Sequence, residues 1–163
     1  RSLLEPHENT HIHSMVESMF PTIQTTIVDS EVATALASKT FLEKIFLLHE
    51  LFSVEGRGGF ADRKSRHLYD LSRMMDKDFA LSAIDDDTLW ESIRHHREIF
   101  TSVSGMDYTP DIRKRLVLVP REDIIAAWEG DYKSMCSSMI FGEKPSFECL
   151  IERMRDLENR FRK

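Results

Sequence analysis

Apolar positions recur at helical spacing through most of the chain, and the breaks between those runs set the elements. The strongest run opens at Thr40, with Glu43 three residues on in the pattern of a capping box. Phe41, Ile45, Leu48 and Phe52 follow at i, i+4, i+7 and i+11 and draw one apolar stripe. Gly56, Gly58 and Gly59 end that helix, and Asp62 or Ser65 caps a second whose buried row is Leu68, Leu71 and Met75. Residues 79–84 predict a short helix. Asp85, Asp86 and Asp87 then open a longer one, where acidic residues complement the helix dipole, and Leu89, Trp90, Ile93, Phe100 and Val103 are its buried face. Pro120 predicts the start of the next helix, striped by Trp128, Tyr132, Met135 and Met139 and stopped at Gly142. Ser146 caps the last, with Phe147, Leu150, Met154, Leu157 and Phe161 inside.

The N-terminal residues have a different texture. Residues 3–6 read as a connector and residues 10–20 as a short amphipathic helix ended by Pro21. Residues 23–28 and 31–36, rich in Ile, Val and Thr, predict two short strands; residues 116–119 are either a strand or extended chain. The expected fold is mainly α, a helical bundle with a small N-terminal β element. Its expected division is residues 1–38, a connector with a short helix and strand remnants, and residues 39–163, a helical domain.

Composition changes this picture little. The 163 residues suffice for a core, and 41% hydrophobic with 31% charged residues is ordinary for a globular chain. No apolar run is long enough for a membrane helix. The two cysteines, Cys136 and Cys149, sit in helical patterns and fit core packing in a reducing cytoplasm. A net charge of −6 argues against nonspecific nucleic-acid binding by the chain as a whole. Positive charge collects at residues 57–67, 94–97 and 113–115, so an RNA ligand would have to use those clusters, each otherwise a solvated face. His11 with His13 and His95 with His96 have spacings that suit no shared metal on a helix.

The candidate chemistry lies in the first two strong helices. Lys44 shares a row with Leu48 and Leu51, so its stem runs along apolar surface toward something polar. Arg63, Arg66 or His67, and Asp70 fall along a polar row of the second helix. Cations and a carboxylate around a lysine suit a phosphate-bearing ligand, since guanidinium groups fork onto phosphate oxygens. The plain alternative is an interhelix salt bridge beside a solvated basic loop.

The run from Lys39 through Lys44 to His49 and Glu50, followed by Ser65, Arg66, His67, Leu68, Tyr69, Asp70 and Leu71, resembles the C-terminal half of the AbiEii/AbiGii toxin family. The likeness continues through residues 131–135, 139–142 and 145–147. The resemblance implies a bacterial nucleotidyltransferase of a toxin–antitoxin or phage-defence (abortive infection) system. It would transfer a nucleotidyl group from a nucleoside triphosphate to RNA such as tRNA. Lys44 stands at the family's triphosphate-holding lysine. Arg66, Asp70 and Leu71 match the family's fourth motif, with His67 in place of its first acidic residue, and Asp70 is either the catalytic base or the group that positions Lys44. Arg63, Arg66 and His67 would contact phosphates.

The family's Asp-x-Asp pair for Mg²⁺ has no counterpart with the right context. Gly58-Gly59 and residues 85–87 supply the letters without the strands. The chain, opening on Arg1 as if in mid-structure, is therefore expected to be the C-terminal part of a longer protein and inactive alone, with Mg²⁺ held upstream. An antitoxin is an expected partner and a membrane is not. The alternative reading is a non-catalytic helical module whose arginine-rich loop grips an acidic protein, such as an antitoxin.

Overall fold

A computed structural model describes residues 6–20, 22 and 30–162. The chain is mainly α with a small N-terminal β element, as its patterning predicts. It divides into two compact units, Arg1–Leu36 and Ala37–Lys163.

In the first unit, β1 (His7–Ile12) pairs antiparallel with β2 (Ser30–Ala35), Thr10 standing opposite Val32. The strand predicted at residues 31–36 is therefore present. Its described partner occupies residues 7–9, between the expected connector and helix, and the first turn of that expected helix. β-Branched Thr10 and Ile12 favour the extended chain, and the Thr10 and Thr34 hydroxyls meet across the pair at 2.5 Å. The expected helix at residues 10–20 shrinks to α1 (Met15–Met19), capped by Ser14 Oγ accepting from Val16 N–H at 3.1 Å. The strand predicted at residues 23–28 lies outside the described residues.

The second unit is built around α2 (Ala37–Ser53). This helix begins three residues before Thr40, because Ala37 to Lys39 are competent helix formers and Lys39 pairs with Glu43 one turn on (3.3 Å). Thr40 and Glu43 are thus inside the helix and form no capping box. The stripe predicted for α2 is too narrow. Phe41, Leu42, Ile45, Phe46 and Leu48 are all fully buried, as a helix must be when neighbours cover it on several sides. Those neighbours are α3 (Arg66–Met74), α4 (Asp78–Asp85) and α5 (Asp87–Phe100). The last helix, α7 (Phe147–Phe161), packs against α3 and carries its predicted apolar row inside.

Two helix starts follow the sequence closely. Asp86 Oδ1 accepts from Leu89 N–H (2.9 Å) at the head of α5, and Ser146 Oγ accepts from Cys149 N–H (3.2 Å) at the head of α7. A third does not: α6 runs Ile125–Ser138, not from Pro120. Arg121 O takes the N–H of both Ile124 and Ile125, and its guanidinium is tied to Phe52 O (3.1 Å), which holds the chain in a turn until Ile125. Residues 116–119 are extended chain, not a strand. Their amides pair with side chains, Val117 N–H with His49 Nδ1 (3.1 Å) and Leu118 N–H with Glu158 Oε1 (2.6 Å). Phe100 and Met139 are exposed, against expectation. Beyond Ile93 it is Arg97, not Phe100, that α5 turns toward α2, and α6 has ended when the chain reaches Met139.

Candidate functional site

Lys44 leaves α2 from a row whose other members, Leu48 and Leu51, are buried, so its stem has one polar exit. That exit is α3. Lys44 Nζ donates to Asp70 Oδ2 at 2.8 Å and lies 3.5 Å from His67 Nδ1. The lysine side chain is 21% exposed and the aspartate 37%, so the pair is reachable from solvent yet held in place. Burial first, then the Lys44 and Arg66 charges, lower the His67 pKa from 6.5 to about 4. His67 is therefore neutral near pH 7, and its Nδ1 is an acceptor for Lys44.

The remaining predicted residues stand apart from this cluster in different ways. Arg66 is exposed and has no ion-pair partner among the described residues. Arg63 adopts φ 56°, and its guanidinium reaches Met139 Sδ (3.9 Å). What Arg63 gives to the site is its backbone. Asp131 of α6 accepts from Arg63 N–H (2.6 Å) and Ser65 N–H (2.9 Å), so a carboxylate from a distant helix fixes the turn that leads into α3. Ser65 occupies the N-cap position without capping: its own hydroxyl makes no such bond.

The loop before α3 is fixed by Gly58. It sits at φ 76°, where a Cβ would stand 2.7 Å from Leu51 O, and its carbonyl accepts from Trp128 Nε1 (2.7 Å). Below the site, α2 carries a buried acid that the sequence reading missed. Glu50 is 4% exposed and is clasped by Arg97 in two bonds (2.7 and 2.6 Å) and by the Tyr108 hydroxyl (2.8 Å). The 94–97 cluster, which reads as a basic patch, is thereby spent internally, for Arg94 binds Glu91, Glu98 and Tyr108 O. The 113–115 cluster is largely spent too. Arg113 pairs with Asp87 and lies 5.5 Å over the Trp90 ring, while Arg115 binds Asp107 (2.9 Å) and Asp111 (3.0 Å).

The divalent metal that the resemblance implies finds no fitting donors here. Among the described residues no three His, Cys, Asp or Glu side chains converge on a cation site. Asp86 is committed to its helix cap, Asp87 to Arg113 and Asp70 to Lys44.

In this mainly α chain a half-buried lysine thus stands between a carboxylate and a neutral imidazole, and comparison gives the class as nucleotidyl transferase. The family model that matches is AbiEii, "Nucleotidyl transferase AbiEii toxin, Type IV TA system", over residues 1–158, and the chain belongs to that family. No curated protein and no solved structure matches it. No helix among the described residues is long and apolar enough to cross a membrane.

Proposed function

We propose that Lys44 holds the triphosphate of a nucleoside triphosphate in a nucleotidyl transfer to an RNA acceptor such as tRNA. The observation that carries this reading is the Lys44–Asp70 contact at 2.8 Å on a surface open to solvent, in a chain of the nucleotidyl transferase toxin family. Asp70 is the positioning residue: it fixes the ammonium so that binding a phosphate requires little reorganisation. His67 accepts from Lys44 without adding charge. Arg66, exposed and unpaired, meets an outer phosphate, and Arg63 does so once its weak contact with Met139 is given up.

In the transfer, an acceptor hydroxyl oxygen bonds to the α-phosphorus as the bond from that phosphorus to the bridging oxygen of pyrophosphate breaks. The hydroxyl proton passes to solvent or to a base. These groups contribute charge neutralisation and placement, the usual protein contribution to phosphoryl chemistry.

The test is transfer of an α-labelled nucleotide to RNA by the protein encoded by the complete gene. Lys44→Ala should lower the rate about 100-fold or more and Asp70→Asn about tenfold, with the fold intact by circular dichroism. Full activity in Lys44→Ala overturns the assignment. A binding module for an acidic antitoxin is the second reading. It is favoured instead if nucleotide has no effect and Arg63→Ala with Arg66→Ala abolishes antitoxin capture.

A further inference from the structure

The charges of this molecule are unevenly settled. Arg57, Arg63, Lys64, Arg66, Arg73 and Lys77 have no side-chain carboxylate partner. Elsewhere among the described residues the same holds only of Lys114, Lys144 and Arg155. Residues 57–77 thus carry six cations against three carboxylates in a chain whose net charge is −6. Two of those carboxylates are already engaged, Asp70 by Lys44 and Asp76 by Arg153 and Arg160. The unspent positive charge is therefore concentrated in the loop before α3, in α3 and at the head of α4.

It is also ordered. Arg66 and Arg73 are seven residues apart on α3, two turns along one face and about 10 Å from Cα to Cα. Asp70, with Lys44 attached, lies between them on that face. Beyond Arg73 the surface opens into a groove lined by Arg73, Lys77, Lys144 and Arg153, with Asp76 and Glu143 as its acids. Lys144 is held there by its bond to Cys136 O, which orients the ammonium and leaves its charge uncompensated.

We infer that this stripe, from Arg73 through Lys77 to Lys144, is a track for the phosphate backbone of the single-stranded end of the acceptor RNA. Resting on the proposed transferase reading, it deepens it by giving the acceptor's path. A row of exposed cations without aromatic platforms suits a sequence-independent grip on phosphates. The track ends at Asp70 and Lys44, one turn before Arg73 on α3, where a strand terminus must lie to attack the nucleotide, and Arg66 lies beyond them on the nucleotide's side.

The test is fluorescence anisotropy of a labelled mixed-sequence single-stranded RNA oligonucleotide, titrated with the chain at several salt concentrations. Arg73→Ala/Lys77→Ala should weaken binding about tenfold and lower the slope of log affinity against log salt by about 1.4, two contacts at about 0.7 each. Lys114→Ala/Arg155→Ala, equally unpaired but off the track, should change neither. Unfolding midpoints of both variants should match the parent, since all four side chains are exposed. An RNA affinity indifferent to Arg73 and Lys77 overturns the track. So does polyglutamate binding with the same residue dependence and no RNA binding, which would point to an acidic protein. Nucleotide binding is measured beside it: a track that fails while Lys44→Ala still weakens nucleotide binding refutes this inference alone.

Discussion

At Gly58 a single missing Cβ keeps the loop before α3 closed on Leu51 and Trp128. Gly58→Ala should cost about 2–4 kcal/mol, from a left-handed backbone and a clash with carbonyl oxygen that cannot move aside. Gly56 has nearly the same φ, 77°, but nothing within 4 Å, so Gly56→Ala should cost only about 1 kcal/mol. Urea unfolding of the two variants checks the difference; equal costs would mean that backbone strain alone matters. His49 is the other residue with a single-site consequence. Its Nδ1 accepts from Ser53 Oγ (2.7 Å) and Val117 N–H (3.1 Å), and burial lowers its pKa from 6.5 to about 4. The unfolded chain thus binds a proton that the folded chain refuses. Stability is complete above pH 6.5 and is lost as pH falls toward 4, by roughly 3 kcal/mol in all. His67 acts in the same direction and window, less strongly because it is partly exposed. A urea midpoint that stays constant from pH 7 to pH 5 would contradict this.

Among elements, the contacts that set helix against helix are polar and long-range. Arg97→Ala leaves the Glu50 carboxylate buried without its bidentate partner, and should cost about 3–5 kcal/mol in chemical unfolding. Arg97→Lys should recover only part, since an ammonium cannot fork onto both oxygens. Asp131→Ala frees two amides at the start of α3 and should cost about 1–3 kcal/mol, with Asp131→Asn intermediate. Because α3 carries Asp70 and His67, Asp131→Ala should also weaken nucleotide binding several-fold, measured by titration calorimetry. Periodicity could reveal Lys44 and Asp70, each standing on a strongly patterned helix at a polar break in its row. It could not reveal Glu50 with Arg97, or Asp131 with Ser65, because spacing within a helix says nothing of which residue faces it from 47 or 66 positions away. The early start of α2 and the late start of α6 were hidden for a related reason. Thr40 and Pro120 are sound local signals, outweighed by the Lys39–Glu43 pair one turn apart within α2 and by the tertiary tie of Arg121 to Phe52 O.

For the whole molecule, charge is better understood by pairing than by sum. The net −6 conceals two of three basic clusters largely consumed in internal ion pairs and a third left open beside Lys44. That third cluster could not be told from the others in the sequence, since all three look alike until their partners are known. The central claim is that the open cluster serves a triphosphate at Lys44. Titration calorimetry of nucleoside triphosphates into the chain and into Lys44→Ala tests it most directly. Binding should be about 10- to 100-fold weaker in Lys44→Ala, the worth of one charge-assisted contact, with a thermal midpoint within about 2–4 °C of the parent. Unchanged nucleotide affinity, with or without a fall in midpoint, would reduce Lys44 and Asp70 to an interhelix salt bridge and contradict the account.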